Sequence, residues 1–363
     1  MLKRNEILVT HGKDIPKMVE EVLEAADIIS EIPKGASIGI KPNLVVAKKS
    51  SSGATTTPSI VEALIAYLRR HGQEDIAILE GSWIGDDTAR AFRVCGYEEI
   101  SKRYHVPLID TKKDAYEILN CNGLTMEVSK QVLAVDYFIN MPVLKGHCQT
   151  KITGALKNLK GCISDASKRA FHTWGLHNPI AYLNQLLPVQ FILGDGICGD
   201  LDFEEGGNPV EMNRIFVGKD PVLVDAYIAN TMGYAPEEIA YIKIAEEIGV
   251  GSSDIGHATV RTITKDTTKA NPASSRRVQQ YAKYIAEKDA CSACYANLIQ
   301  ALARLDEQGK LSHIKEKIKI GQGYREKTGE GLGIGMCARG MARCTVGCPP
   351  ETREILAFLS ENL

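Results

Sequence analysis

Residues 135–161 read Val135-Asp-Tyr-Phe-Ile-Asn140-Met-Pro-Val-Leu-Lys145-Gly-His147-Cys-Gln-Thr150-Lys151-Ile-Thr-Gly-Ala-Leu-Lys157-Asn158-Leu-Lys160-Gly161. The stretch from Val135 to Ile139 is a compact strand that runs into Asn140-Met-Pro142, where proline helps to stop it. Ser37-Ile-Gly-Ile40 likewise runs into Lys41-Pro-Asn43, and Ile76-Ala-Ile-Leu79 into Glu80-Gly-Ser82. Gln190-Phe-Ile-Leu193 leads into Gly194-Asp-Gly196, and Arg214-Ile-Phe-Val217 into Gly218-Lys-Asp-Pro221. Between them fall helical segments such as Pro58 to Arg70, with apolar Ile60, Leu64, Ala66 and Leu68. Thr57 reads as its N-cap, with Pro58 at the first helical position. Strands alternating with helices predict an α/β fold, a mostly parallel sheet with helices on both faces. In such folds a ligand site lies beyond the carboxyl ends of the strands, so the residues at these ends are the candidates.

The α/β pattern spans residues 1–265. A polar stretch, Thr264 to Arg277, predicts a connection over 266–280. Residues 281–363 form a small cysteine-rich α/β region, with a helix from Cys294 to about Glu307, a strand at Ile318-Lys-Ile320 and a closing helix from Glu351 to Leu359.

A net charge of −2 over 363 residues gives no global pull toward nucleic acid or an acidic membrane. No apolar run reaches the ~20 residues that span a bilayer. The first ten residues do not read as a signal peptide. There is no Walker loop, no Gly-x-Gly-x-x-Gly after a strand, and no basic–aromatic interleaving for nucleic acid. A cytoplasmic protein is expected, where thiols stay reduced.

Ten cysteines then need an explanation. Cys95, Cys121, Cys148, Cys162 and Cys198 are scattered and read as small buried side chains. Cys291, Cys294, Cys337, Cys344 and Cys348 cluster in the tail. Cys291-Ser-Ala-Cys294 precedes a helix, whose N-terminal dipole favours thiolate. The run Gly331-Leu-Gly-Ile-Gly-Met-Cys337 and the closing Gly347-Cys348-Pro-Pro350 let backbone approach sulfur closely. Four thiolates suit a cubane 4Fe-4S cluster. A structural zinc would prefer two tight Cys-x-x-Cys knuckles, and only the first pair qualifies. Cys291, Cys294 and Cys348 are three expected ligands. Spacing leaves the fourth open between Cys337 and Cys344, with the glycine run before Cys337 slightly in its favour.

A second candidate site surrounds the opening stretch. Lysines near a helix N-terminus suit a phosphate or carboxylate. Lys145, Thr150, Lys151, Lys157 and Asn158, joined by Lys41 and Asn43 at another strand end, are the expected ligands of an anionic small molecule. His147, His172 and Asp195 are the expected acid–base residues, with Asp225 a further carboxylate of this kind. A lone lysine, histidine or aspartate is more often structural.

Lys41-Pro-Asn-Leu44, Thr55-Thr-Thr-Pro58, Asn140 to Lys145, Thr150 to Asn158, Gly194-Asp-Gly196 and Asp220-Pro-Val-Leu-Val-Asp225 occur together here. The set resembles a prokaryotic family catalogued as domain of unknown function 362. Its members often carry cluster-binding cysteines, and the resemblance covers roughly residues 36 to 260. In some relatives the tail maps onto Cys291, Cys294, Cys337 and Cys348, leaving Cys344 as the extra thiol. The two-cluster ferredoxin run is absent. The resemblance supports the fold and the cluster; taken with the lysine-rich strand ends, the expected function is an iron–sulfur oxidoreductase or electron-transfer enzyme acting on an anionic small molecule. An electron-transfer protein is the expected partner, a homo-oligomer is admitted, and neither nucleic acid nor membrane is expected. The alternatives are a structural or redox-sensing cluster, or a zinc-stapled ligand-binding protein.

Overall fold

The computed structural model describes residues 1–363 apart from Pro188, Leu201, Gly233, 264–276, Cys291, Pro349 and Glu351. The chain divides into two compact units. The first comprises Met1–Gly146, Ile152–Leu201 and Glu205–Ala273; the second comprises His147–Lys151, Asp202–Glu204 and Ser274–Leu363. The connection expected over 266–280 lies largely outside the described residues, and a helix covers Arg277–Ala282. The two short excursions into the second unit have a packing cause. Phe203 is buried in the second unit's apolar cluster and Cys148 packs against it.

In chain order the strands are β1 (Glu6–His11), β2 (Ile38–Lys41), β3 (Ile76–Glu80), β4 (Leu108–Asp110), β5 (Tyr116–Cys121), β6 (Leu124–Ser129), β7 (Tyr137–Asn140), β8 (Lys145–His147), β9 (Lys151–Thr153), β10 (Phe191–Asp200), β11 (Pro209–Gly218) and β12 (Thr259–Thr262). The tail adds β13 (Ile285–Glu287), β14 (Ile318–Ile320), β15 (Gly329–Ile334) and β16 (Met341–Thr345). Eight strands build the main sheet in the order β12-β1-β11-β10-β7-β2-β3-β4. β11 runs antiparallel to both its neighbours, and every other pairing in this sheet is parallel. The fold is therefore α/β with a mostly parallel sheet.

Strand pleating explains why both faces are covered. Ile38, Ile40, Ile78 and Ile139 enter one core together with Val61, Leu64, Ile65 and Leu68 of the helix Pro58–Arg70. Leu79, Phe138 and Ile192 enter the other, with Val224 and Ile228 of the helix Pro221–Thr231. At Thr57 the backbone takes the cap position before Pro58, but its side chain makes no capping bond.

β10 departs from the sequence expectation. It was expected to end at Gly194, yet it continues to Asp200 through a bulge between Gly196 and Cys198. The glycine there serves packing: a Cβ on Gly194 would stand 2.0 Å from the Phe216 ring.

In the second unit β13, β14, β15 and β16 form a four-stranded sheet whose pairings are all parallel. The helices Ser292–Glu307 and Thr352–Asn362 supply its core through Leu298, Ile299, Leu302, Leu305, Ile355 and Leu359. The strand expected at Ile318–Ile320 is β14. All four strands point their carboxyl ends toward one edge, and this alignment positions the cysteines.

Candidate functional site

In the first unit three polar residues that end apolar strands stand side by side. Lys41 pairs in register with Asn140, and β3, ending at Glu80, lies on the other side of β2. The Lys41 ammonium is 1% exposed and sits 2.8 Å from Glu80 Oε1. It also donates to the Pro42 carbonyl at 2.7 Å. Glu80 accepts further from the N–H groups of Leu44 and Gly81, each at 2.7 Å. Lys41 was expected to grip a substrate anion; its charge is instead met by Glu80. A lysine sealed from water needs a counter-ion, and the pair is tolerable only when its remaining lone pairs are bonded.

Next to this pair runs a directed chain of amides. Lys145 Nζ donates to Asn43 Oδ1 at 2.9 Å and to the Ala54 carbonyl. Asn43 Nδ2 donates to Asn158 Oδ1 (2.9 Å), Asn158 Nδ2 to Asn140 Oδ1 (2.7 Å), and Asn140 Nδ2 to the Ala155 carbonyl (2.8 Å). Thr56 Oγ1 receives the Asn43 N–H and donates to the Met141 carbonyl. Four of the expected residues, Lys41, Asn43, Lys145 and Asn158, thus converge at the strand ends. Lys157 is buried in the same short helix, Ala155–Asn158. Glu80 and Asn140 were not anticipated as site residues. Their signal was available: each ends an apolar strand in the position where Lys41 ends its own.

The carboxylates serve as backbone anchors. Asp195, an expected acid–base residue, is fully buried and accepts from the N–H of Thr57 (2.7 Å) and of Ile197 (2.8 Å). Burial pushes its carboxyl up to about 6. Asp225 accepts from Ala155 N (2.6 Å) and Leu156 N (3.3 Å), capping the helix that carries Lys157 and Asn158. Burial pushes it up to about 7. Gly154 permits this approach, since a Cβ there would lie 2.1 Å from Asp225 Oδ1. His172 occupies the last turn of the helix Asp165–Thr173, partly exposed. The same helix buries Lys168, which donates to the carbonyls of Gly81 (3.1 Å) and Ser82 (2.9 Å); burial lowers its ammonium to about 8. Nothing in the sequence marked Lys168.

His147, Thr150 and Lys151 belong to the second unit. His147 Nδ1 accepts from the N–H groups of Gln149 and Thr150, both at 3.1 Å. That assigns the ring proton to Nε2, which faces Glu204 at 3.1 Å. Both nitrogens are engaged, so the ring holds a turn together. Thr150 is buried beside it, and Lys151 adopts a left-handed conformation (φ +63°), partly exposed.

The second unit also holds a small cavity of about 20 Å³. Cys294, Cys337 and Cys348 line it, together with Gly321, Gly335 and Gly347 at the ends of β14, β15 and beyond β16. The three glycines have φ values of +115°, +79° and +140°, which favour glycine strongly in such close quarters. A Cβ on Gly335 would come within 3.7 Å of Cys294 Sγ. Cys294 lies in the first turn of the helix Ser292–Glu307, whose free N–H groups and dipole favour thiolate. Cys344 is held differently. Its thiol donates to the carbonyls of Thr345 (3.1 Å) and Gly335 (3.7 Å), and burial raises its pKa. Cys291 lies outside the described residues. Among the described residues no three His, Cys, Asp or Glu side chains form a ready metal-binding group. Soft sulfur donors with small backbone neighbours are nonetheless the donor set of an iron–sulfur cluster.

No helix among the described residues is long and apolar enough to cross a membrane. The chain is similar to a solved structure of the lactate racemase apoprotein from Thermoanaerobacterium thermosaccharolyticum, at 15% identity and a TM-score of 0.39, over 69% of this chain and 60% of that one. It therefore spans less than two thirds of that protein. It is also 22% identical over 235 residues to the thylakoid-associated protein sll1697 of Synechocystis, covering 60% of this chain and 70% of the relative. Residues 38–230, more than half of the chain, match the family described as Domain of unknown function (DUF362), and the chain belongs to that family.

Proposed function

We propose that this protein is an iron–sulfur oxidoreductase or electron-transfer enzyme that acts on an anionic small molecule in a reducing cytoplasm. One observation carries the reading: Cys294, Cys337 and Cys348 line a single glycine-walled cavity in the second unit. With Cys291, three residues before Cys294, they make the four thiolates of a cubane cluster. Such a cluster supplies one-electron transfer when bound. Cys344 is the spare thiol, since its proton already serves two carbonyls.

The first unit contributes donors. Lys145, Lys157, Asn43 and Asn158 gather at the carboxyl ends of the parallel strands, where α/β sheets take their ligands, and an anion bound there would exchange for the internal acceptors that Lys145, Asn43 and Asn158 now serve. Lys41 holds this corner together through Glu80 and is not part of the donor set.

The cysteine series tests the cluster. Protein purified without oxygen should contain iron and acid-labile sulfide and absorb broadly in the visible. Cys337→Ser and Cys348→Ser should each lose most of the iron, while Cys344→Ser keeps it. Colourless protein with stoichiometric zinc and no sulfide would instead favour a zinc staple. Equal loss of iron in Cys344→Ser would return that residue to the ligand set.

A further inference from the structure

The parallel strands of the main sheet also have amino ends, and a second cleft lies there. Tyr137 is the first residue of β7, with Asp136 before it, and Gln190 stands just ahead of β10. Lys219 follows β11, which runs antiparallel and so finishes at the same end of the sheet. These residues line an open cavity of about 480 Å³, within the range of small-molecule sites.

Two oxygens of the lining residues are buried without a bond. The Tyr137 side chain is 3% exposed and packs in the core beneath the helix Pro58–Arg70, yet its Oη has no hydrogen-bond partner among the described residues. Glu31 also lines the cleft and gives one oxygen to the Lys219 ammonium. Its other oxygen, Oε1, is buried and equally without a bond. Folded proteins rarely leave such groups unsatisfied. Burial, and then the Glu31 charge, push the Tyr137 phenol up, so it stays a donor at neutral pH.

One kind of group satisfies both oxygens. A hydroxyl accepts from Tyr137 Oη and donates to Glu31 Oε1. An ammonium has no lone pair for the tyrosine proton, and a carboxylate has no proton for Glu31. Gln190 adds a fixed donor. Its backbone N–H and its Oε1 are both tied to Phe138, at 3.2 and 2.7 Å, and its Nε2 makes no bond to the described residues. Pro33 and Val189 supply apolar lining for the C–H face of a ring. Charge is even: Arg4 and Lys219 stand against Glu31 and Asp136. Adding the exposed Lys34 beside Pro33, and Asp220, which holds Arg4, leaves that balance unchanged. A neutral ligand is favoured over an ion.

We propose that this cleft binds a neutral sugar or polyol, one hydroxyl of which bridges Tyr137 Oη and Glu31 Oε1 while Gln190 Nε2 donates to another. The Lys219 arm, 26% exposed, is the lining group able to turn into water and admit that hydroxyl. The site is separate from the strand ends of Lys41 and Asn140 and does not depend on the cysteine cluster.

The probes are D-glucose, D-galactose and D-mannose, each titrated against the full-length protein by saturation-transfer NMR. Gluconate and glucosamine serve as charged counterparts. At least one hexose should bind, and more tightly than either charged sugar. Tyr137→Phe and Glu31→Leu should each weaken it about 10-fold, the loss of one hydrogen bond. Without sugar, Tyr137→Phe should melt no lower than wild type, because the hydroxyl it removes is bonded to nothing. The control Asp254→Asn/His257→Gln alters a neighbouring cleft that shares Arg4 and should bind as wild type. No transfer from any hexose, tighter binding of a charged sugar, or unchanged affinity in Tyr137→Phe would overturn the site. So would equal losses in the control, or a clear drop in melting temperature for Tyr137→Phe, which would show the hydroxyl bonded within the protein.

Discussion

Lys41→Met should lower the unfolding free energy by roughly 3–5 kcal/mol, the usual cost of removing one partner from a buried ion pair. The ammonium is 1% exposed and the Glu80 carboxylate 3% exposed, so neither can turn to water when its partner is lost. Glu80 would keep the N–H groups of Leu44 and Gly81 but carry an unmatched charge. Its easiest relief is to take up a proton, so the deficit of Lys41→Met should grow with rising pH and shrink in acid. Glu80→Gln relieves the charge in the mutant background. A double-mutant cycle should therefore show the Lys41→Met/Glu80→Gln protein losing less than the sum of the single changes. Urea unfolding followed by far-UV circular dichroism measures all four proteins. A loss under ~1 kcal/mol for Lys41→Met would mean that the pair contributes no more than an exposed one.

Asp225→Ala is the second large effect, about 2–3 kcal/mol, because it strips the acceptor from two buried N–H groups, those of Ala155 and Leu156. Gly154→Ala should produce a similar loss by a different route, since its Cβ would be driven to 2.1 Å from Asp225 Oδ1. The carboxyl also shapes the pH dependence. Burial pushes Asp225 up to about 7 and Asp195 up to about 6, against ~3.9 for an aspartate in an unfolded chain. The folded state therefore holds these protons more tightly than the unfolded one. Their contribution is fully present below about pH 4 and is lost as pH rises through 6 to 7. Asp225→Asn removes one of the two groups and should flatten the decline between pH 4 and 7. The stability of wild type relative to Asp225→Asn should accordingly be greatest in acid and fall as pH rises through 7. A parallel pair of stability–pH curves would show that Asp225 is not a buried titrating group.

These effects separate what was legible from what was not. The strand-to-turn pattern at Ile40-Lys41, Leu79-Glu80 and Ile139-Asn140 was readable, because buried parallel strands are apolar on both faces and polar residues collect at their ends. The same pattern did not say which polar residues face each other. Lys41 and Glu80 are 39 residues apart and meet only because β2 lies beside β3. An acid–base role for Asp195 was a reasonable reading of a carboxylate in a glycine-rich stretch. Its backbone partners, Thr57 and Ile197, come from a distant loop and from the strand's own bulge. Gly194 was expected to end its strand, whereas close packing against Phe216 rather than a turn requires the small residue there.

The cysteine tail returns to the same division. Local chemistry along the chain was enough to mark the clustered thiols, the glycines beside them and the helix that begins at Ser292, because turn geometry and thiolate stabilisation act over a few residues. Spacing could not choose between Cys337 and Cys344. That difference is spatial: β15 ends at the cavity and delivers Cys337 to it, whereas Cys344 lies within β16, opposite Gly333, with its thiol turned to carbonyl oxygens. By itself the sequence determined the fold class and marked the clustered cysteines of the tail, both of which follow from short-range patterning. Only the tertiary structure decided partners, since ion pairing, hydrogen bonding and the lining of a cavity depend on which strands become neighbours.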